Sequence, residues 1–172
     1  MIPIEIREAT VEDAEAIATV HVIAWQSAYR GIMPEKFLSG LSVEGRSSMW
    51  QKSLRAGKPR VLVAFVDEAI AGWIAFGACR DADKESTWAE VEALYVLPEF
   101  WGRGIGKRLS DSARQLLRSA GYSFVALWVL SENHHARAFY DRIGFAHDDS
   151  NMDISVGGVS LTEIRYHCSL TS

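Results

Sequence analysis

The chain is poor in cysteine and has no long apolar run. Cys79 and Cys168 are its two cysteines among 172 residues, and their separation fits no metal motif. We therefore predict two buried free thiols rather than a metal site. No stretch approaches eighteen consecutive apolar residues, which argues against a transmembrane helix. Because the first residues include Glu5 and Arg7 instead of an apolar signal region, we expect a cytoplasmic protein with no membrane partner.

Histidine gives no sign of a metal centre either. The five histidines lack metal-ligand spacing, and the adjacent His134 and His135 would point about 100° apart on a helix, which argues against joint ligation. The sequence also lacks internal repeats and linker-like segments. With 172 residues, 48% of them apolar and 23% charged, it predicts one globular domain over residues 1–172.

An excess of positive charge is absent as well. The net charge is −4, which disfavours nucleic acid as a partner, because nucleic-acid binding calls for a broad basic face. An acidic surface would instead attract cationic substrates such as amines, although salt screens that attraction.

What the sequence does contain is a clear alternation of strand and helix patterns. Strand-like runs cover residues 4–7, 60–66, 70–79, 90–97, 124–130, 151–156 and 159–168. Helical patterns cover residues 10–30, 34–41, 43–55, 105–120 and 133–143. The short turns Asp67-Glu68 and Gly157-Gly158 predict antiparallel hairpins. Together these patterns predict a mixed α/β sheet in one domain.

The most informative stretch runs from residue 90 to residue 120. It begins as a strand with period-two alternation, in which one face is made of Val91, Ala93, Tyr95 and Leu97. Pro98 ends the strand, because proline has no N–H to donate. A glycine-rich turn over residues 102–106 then leads directly into an amphipathic helix.

A strand, a glycine turn and a helix N-terminus together favour anion binding, since free N–H groups and the helix dipole attract negative charge. Arg103, Lys107 and Arg108 add positive charge there. The P-loop pattern fails because Trp101 replaces its first glycine and Arg108 its Ser or Thr. The dinucleotide pattern fails because its third glycine falls at Lys107. We predict a pyrophosphate held by backbone amides without a metal; the alternative is a turn whose glycines are purely steric.

Two blocks of the sequence, WGRGIG at residues 101–106 and NHHARAFYDRIGF at residues 133–145, resemble the GCN5-related N-acetyltransferases. The first block is similar to that family's acyl-CoA-binding pattern Gln/Arg-x-x-Gly-x-Gly/Ala. The second block is similar to its pattern Asn-x-x-Ala-x-x-Phe-Tyr-x-x-x-Gly-Phe. One position departs, since Trp101 stands where the family has Gln or Arg.

The resemblance implies a fold of about seven mostly antiparallel strands flanked by four or five helices, with acetyl-CoA as cosubstrate and no metal. It also implies a bulge in the central strand that frees the amide of Leu94 for the acetyl carbonyl. The family contains monomers and dimers, which leaves a homodimer open. The implied acyl-CoA contacts are Leu94, Val96, Gly102, Arg103, Gly104, Ile105, Gly106, Lys107 and Asn133.

Acetyl transfer to an amine requires a base, and Glu90 and Glu92 are the candidates. Two apart on one strand, they would share a face, and two partly buried carboxylates at that spacing raise the pKa of one of them. The resemblance favours Glu90, eleven residues before Trp101, with Glu92 as the fallback. The alternative is that both simply face water on a half-exposed strand.

The leaving thiolate requires an acid, and Tyr140 is the candidate. Its unperturbed pKa of about 10 lies close enough to about 8.5 for a thiol to allow proton sharing. The resemblance matches it to the family's general-acid tyrosine; the alternative is a core aromatic residue. Asn133 is suited to the pantetheine arm or to a helix N-cap, and the two roles are compatible.

Trp25, Tyr29 and Met33 are candidates for the acceptor pocket, although aromatic residues at such spacing are more often core. The sequence therefore predicts an N-acetyltransferase that moves an acetyl group from acetyl-CoA to a primary amine by direct attack in a ternary complex. The alternative is a non-catalytic acyl-CoA-binding module. The acceptor, a small-molecule or peptide amine, is not specified by the sequence.

Overall fold

The computed structural model describes residues 2–171, which form a seven-stranded mixed sheet. The strands pair in the order β1-β2-β3-β4-β5-β7-β6, and all the pairs are antiparallel except β4–β5. The predicted fold class is thereby confirmed. The strands are β1 (Glu5–Glu8), β2 (Arg60–Val66), β3 (Ala69–Ala78), β4 (Trp88–Val96), β5 (Phe124–Leu130), β6 (Ala146–Val156) and β7 (Val159–Ser169).

Five α-helices flank the sheet, close to the predicted positions. They are α1 (Ala14–Ala28), α2 (Glu35–Ser39), α3 (Val43–Ala56), α4 (Ile105–Ser119) and α5 (His134–Arg142). A capping box precedes α1, where the Thr10 N–H donates to the Asp13 carboxylate at 2.7 Å. The same carboxylate accepts from Arg7 at 2.8 and 2.9 Å, which ties β1 to the helix. No helix within residues 2–171 is long and apolar enough to cross a membrane.

Both predicted hairpins form. The turn between β2 and β3 has positive φ at Asp67 and Glu68, and the turn between β6 and β7 has positive φ at Gly157 and Gly158. Positive φ at both central residues matches the twist of the flanking strands. The strand β6 is longer than predicted, because it begins at Ala146 instead of residue 151.

The sheet is covered on both faces. On one face, α4 packs its predicted stripe, including Ile105 and Leu109, against β-strand residues such as Phe76. On the other face, α1 and α3 pack around Trp73, which is fully buried and donates its indole N–H to the Ile17 carbonyl at 3.1 Å. Two apolar faces on one central sheet leave little freedom in strand register.

The β4–β5 pair opens the sheet at its middle. Parallel pairing is confined to Trp88–Glu90 on β4 and Phe124–Ala126 on β5. Beyond those residues a cavity lies between the strands, lined by both of them. The sheet is therefore split where its two central strands run toward the N-terminus of α4.

A β-bulge in β4 changes which residues share a face. Ala93 pairs with Ala75, but the next β3 residue, Phe76, pairs with Val91, so Glu92 is the extra residue. The uniform alternation predicted for residues 91–97 is therefore wrong at one point. Val91 packs into the core beneath α4, with Leu94 and Val96, whereas Ala93 packs toward α1.

Candidate active site

The split in the sheet forms a central cleft of about 810 Å³ between β4, β5, α4 and α5. It brings together most of the residues singled out in the sequence. Glu90, Arg103 and Arg108 do not line it. The predicted residues that do are Trp25, Tyr29, Glu92, Leu94, Val96, Gly102, Gly104, Ile105, Gly106, Lys107, Asn133 and Tyr140.

The start of α4 presents free amides to the central cleft. Gly104 is the N-cap residue with φ of +85°, a left-handed conformation that a side chain would strain. The first main-chain bond of the helix runs from Arg108 N–H to Gly104 C=O at 3.0 Å. The N–H groups of residues 105–107 therefore precede the helical ladder and carry the positive end of the helix dipole. This arrangement suits a pyrophosphate.

Gly106 lies at a close approach of the two helices that flank the central cleft. A Cβ atom built on Gly106 would lie 3.1 Å and 3.3 Å from atoms of the Phe139 ring on α5. Glycine at this position lets α5 approach the first turn of α4. The contact places the two blocks of the family resemblance side by side in space.

The open edge of β4 offers backbone groups to the central cleft. Leu97 N–H donates toward β3, to Ala71 C=O at 2.8 Å. Since polar groups alternate along an antiparallel strand, those of Leu94 and Val96 point the other way, into the cleft. Val96 C=O accepts the Trp101 indole N–H at 2.8 Å, as that direction requires. The bulge implied by the family resemblance lies at Glu92, two residues before Leu94.

Trp101 has a role that its departure from the family pattern did not suggest. Besides its bond to Val96, its ring stacks on His135 of α5, with 4.9 Å between ring centroids and 29° between planes. The indole therefore joins the turn before α4 to the first turn of α5. Arg103, by contrast, lies over the Phe100 ring, with its guanidinium 5.5 Å from the centroid.

Asn133 and Tyr140 reach the central cleft from α5. Asn133 is buried, and its side-chain oxygen caps the helix by accepting from Ala136 N–H at 3.1 Å. Its amide nitrogen is not used by this cap. The Tyr140 ring is 9% exposed and packs against Phe145 and Tyr166. Burial raises the pKa of its hydroxyl well above the ordinary value.

The two predicted bases differ in their surroundings. Glu90 is 3% exposed, and its carboxylate accepts from Arg80 Nε at 2.8 Å and Nη2 at 3.0 Å. Glu92 lies 3.4 Å from the same Arg80 Nε and lines the central cleft. Burial is the main cause that raises the pKa of Glu92; Arg80 opposes the shift and Glu90 adds to it. The predicted like-charge effect is therefore the smaller one.

Trp25 of α1 and Tyr29, the C-cap residue of that helix, line the cleft beside Tyr95 of β4. Trp25 and Tyr29 pack edge to face, with centroids 5.1 Å apart. The Tyr29 hydroxyl bonds the Tyr95 hydroxyl at 2.9 Å, and burial raises the pKa of Tyr29 to about 12. Burial likewise raises the pKa of Tyr95. The Tyr29 and Tyr95 hydroxyls are therefore neutral hydrogen-bonding groups beside the cleft.

Tyr95, Trp128 and Glu163 are among the cleft residues that were not assigned to the site from the sequence. Tyr95 was assigned only to one face of a strand. Glu163 alternates with apolar neighbours in β7, a pattern that indicates a solvent-facing side chain. It reaches the site because β7 pairs with β5 and not only with β6, and no local signal in the sequence reports that pairing.

The profile of the acetyltransferase (GNAT) family matches residues 13–145. The chain belongs to this family. Among its GNAT relatives, the uncharacterized N-acetyltransferase YuaI of Bacillus subtilis is 30% identical over 131 residues, covering 76% of this chain and 73% of YuaI. Spermidine N(1)-acetyltransferase of Thermoplasma acidophilum is 28% identical over 153 residues, covering 86% of this chain and 91% of the relative. The predicted family is confirmed.

Solved acetyltransferase structures share the whole fold. The PaiA N-acetyltransferase of Thermoplasma acidophilum, in complex with coenzyme A, has 25% sequence identity and a TM-score of 0.76, covering 98% of this chain and 99% of that chain. YncA of Salmonella typhimurium, solved with acetyl-CoA, has 21% identity and a TM-score of 0.73, covering 99% and 95%. The second likeness, at its lower identity, is one of fold.

Proposed function

We propose that this GNAT protein transfers the acetyl group of acetyl-CoA to a primary amine by direct attack in a ternary complex. The observation that carries the proposal is the central cleft, which joins free amides at α4, an unpaired β4 edge, Tyr140 and Glu92. Neither cysteine lines the cleft, and burial raises the pKa of both thiols. A low-pKa thiolate for a covalent intermediate is therefore not provided by Cys79 or Cys168.

The residues of the cleft fit acetyl-CoA as follows. The amides of residues 105–107 would bind the pyrophosphate, and the backbone of Val96 and the Asn133 amide would bind the pantetheine arm. Because Trp101 already bonds Val96 C=O, the indole would move aside or share that carbonyl with the pantetheine. The Leu94 N–H would donate to the acetyl oxygen as that atom gains negative charge.

The proton balance assigns one step to each side chain. Glu92, through a water molecule, would take a proton from the acceptor ammonium, so that the neutral nitrogen can attack the acetyl carbon. As the carbon–nitrogen bond forms and the carbon–sulfur bond breaks, Tyr140 would donate its hydroxyl hydrogen to the departing sulfur. The attacking nitrogen would lose its second proton as it becomes an amide, and that proton, passed through water, would restore the Tyr140 hydroxyl. Glu92 is favoured over Glu90 because Glu90 accepts two hydrogen bonds from the Arg80 side chain and one from the Arg80 backbone N–H, and lies outside the cleft.

Glu92→Gln should lower turnover at neutral pH by about 10²-fold, the usual contribution of a general base. The loss should shrink as the pH rises toward the acceptor's own pKa, because the amine then loses its proton without help. In the wild type, turnover should fall as the pH falls through the raised pKa of Glu92, since the protonated carboxyl cannot accept a proton. Steady-state rates across pH, with saturating acetyl-CoA, measure both effects.

Glu99→Gln is the matched control, because Glu99 is exposed and lies outside the cleft, in the short 3₁₀ helix after β4. Its pH profile should match that of the wild type. A Glu92→Gln enzyme with a loss that is equal at every pH would assign Glu92 to binding or folding rather than to proton transfer. Glu90→Gln, measured beside it, tells which carboxylate is the base.

The proposed acceptor is a small-molecule amine. The similarity to a spermidine N(1)-acetyltransferase supports this choice. The test of the function is release of the CoA thiol from acetyl-CoA on addition of a panel of alkylamines, polyamines, amino acids and aminoglycosides. Acetyl-CoA binding with no thiol release for any amine would instead favour a non-catalytic acyl-CoA-binding module.

A further inference from the structure

A second cavity, of about 330 Å³, adjoins the central cleft. We call it the acidic cavity. Four residues line both spaces: Val91, Glu92, Trp128 and Glu163. The others that line the acidic cavity are Arg80, Asp81, Glu90 and Met152, so its walls carry four carboxylates and one guanidinium. The two spaces meet beside the β-bulge, where the acceptor has to meet the thioester.

The carboxylates of the acidic cavity are unequally compensated. Arg80 is bound to Glu90 and contacts Glu92. Asp81 accepts from Arg165 at 3.1 Å. For Glu163, no lysine, arginine or histidine nitrogen lies within 4.0 Å among residues 2–171.

The nearest cation along the strand is already engaged. Arg165 lies two residues after Glu163 on β7, and its side chain is 5% exposed. Its guanidinium donates to both oxygens of Asp83 at 2.8 and 2.9 Å and to Asp148 at 2.8 Å. Because all three guanidinium nitrogens of Arg165 already donate to these carboxylates, Arg165 is not available to compensate the charge of Glu163.

The other side of the junction also holds a polar group without a partner. The Tyr140 side chain is more than nine-tenths buried and lines the central cleft. Its hydroxyl forms no hydrogen bond within the described part of the chain. Because this side chain lines the cleft, its hydroxyl is open to a hydrogen bond with a ligand that enters this space. A partly buried carboxylate gains free energy from a cation.

We propose that Glu163 is an acceptor-binding residue, whose carboxylate holds the ammonium group of a cationic alkylamine where the two cavities meet. The inference rests on the proposed function and adds the charge of the acceptor and the residue that selects it. The acidic cavity continues past the ammonium group held by Glu163. Because its walls carry more carboxylates than cations, it favours an acceptor with a second positive charge. A diamine should therefore bind more tightly than a monoamine of equal length.

The electrostatics of Glu163 support this role. Burial, followed by the charge of Glu90, raises the pKa of Glu163. The same two causes mean that the ionised carboxylate gains free energy when a cation enters. Glu163 binds in this scheme, and Glu92 accepts the proton. Glu163→Gln should therefore change mainly the KM for the amine, whereas Glu92→Gln should change mainly kcat.

The test is calorimetric titration of 1,4-diaminobutane into the CoA-saturated protein. Glu163→Gln should weaken binding by about tenfold or more, since a charge-assisted contact becomes a neutral one. Glu163→Asp keeps the charge and should retain part of the affinity. Glu132→Gln is the control, because Glu132 is exposed, lies outside both cavities and follows β5 in sequence. The uncharged 1,4-butanediol should bind none of these proteins measurably.

Kinetics with the best acceptor of the panel supply a second measurement. Glu163→Gln should raise the KM for the amine more than it lowers kcat, with the KM for acetyl-CoA unchanged. Wild-type protein that binds CoA but not the diamine, or Glu163→Gln that binds the diamine as well as the wild type, would overturn this inference alone. Wild-type protein that does not bind CoA would remove the proposed function itself.

Discussion

Replacing Tyr140 with phenylalanine should lower turnover by about 10²-fold or more, the usual scale for a general acid. The variant keeps the ring, and with it the packing against Phe145 and Tyr166. It deletes only the hydroxyl, which makes no hydrogen bond to the rest of the described chain. Stability and acetyl-CoA affinity should therefore change little. Melting, calorimetry and the rate of thiol release measure the three quantities.

The raised pKa of Tyr140 predicts how the loss of turnover in Tyr140→Phe depends on pH. A hydroxyl whose pKa lies well above the ordinary value stays protonated throughout the working pH range. It can donate to the departing sulfur at any such pH, so the loss in Tyr140→Phe should be the same from acidic to alkaline pH. This contrasts with Glu92→Gln, where the loss should shrink as the pH rises. The shape of the pH profile therefore separates the acid from the base.

Two further variants test whether the hydroxyl or the packing matters. Tyr166→Phe removes another buried hydroxyl, which accepts from Arg137 at 3.3 Å but lies outside the central cleft, and its turnover should stay near that of the wild type. Tyr140→Ala should unfold more easily by about 3–5 kcal/mol, because it removes a buried ring. A fully active Tyr140→Phe enzyme would show that the tyrosine is only part of the core.

Local patterns predicted the elements well, because each element is stabilised by signals within its own sequence. The stripe of α4, the capping box at Thr10 and the Gly157-Gly158 turn each specify structure within a few residues. The glycine turn before α4 is also local in this sense, whereas the pyrophosphate site assigned to it stays a prediction. A glycine turn that leads into a helix is both a local sequence pattern and the anion-binding geometry itself.

The parts of the site that escaped prediction depend on distant pairing. Arg80 reaches Glu90 because β3 and β4 are neighbours, and Glu163 reaches the cleft because β7 lies beside β5. The bulge at Glu92 was implied by the family resemblance, but alternation alone predicts an uninterrupted strand. A one-residue slip in β4 turns Val91 to the opposite face from Ala93 without any change in residue type.

Gly104→Asp should weaken acetyl-CoA binding by about 10²-fold. A carboxylate about 5 Å from one phosphate charge would be repelled by about 3 kcal/mol at an effective dielectric of about 20. Gly104 caps α4 and lines the central cleft, so the added side chain would stand where the free amides of residues 105–107 meet the ligand. Calorimetric titration with acetyl-CoA measures the change.

The other end of the same helix supplies the matched control. Gly121 follows α4 with φ of +94°, has open space where a Cβ would be placed, and lies outside the cleft. Ala or Asp at Gly121 therefore imposes a backbone strain like that at Gly104, about 1–2 kcal/mol in stability. Both Gly121 variants should bind acetyl-CoA as the wild type does. Gly104→Ala, which adds strain without charge, should lose less affinity than Gly104→Asp.

These four variants separate strain from electrostatics, because only Gly104→Asp adds negative charge at the helix N-terminus. If affinity falls equally in Gly104→Ala and Gly104→Asp, the glycine acts through backbone conformation alone. If the affinity for acetyl-CoA is unchanged in both, the pyrophosphate does not bind at the N-terminus of α4, and its assignment to the amides of residues 105–107 is wrong. An ordered loss, small for alanine and large for aspartate, is expected of a helix dipole that binds an anion.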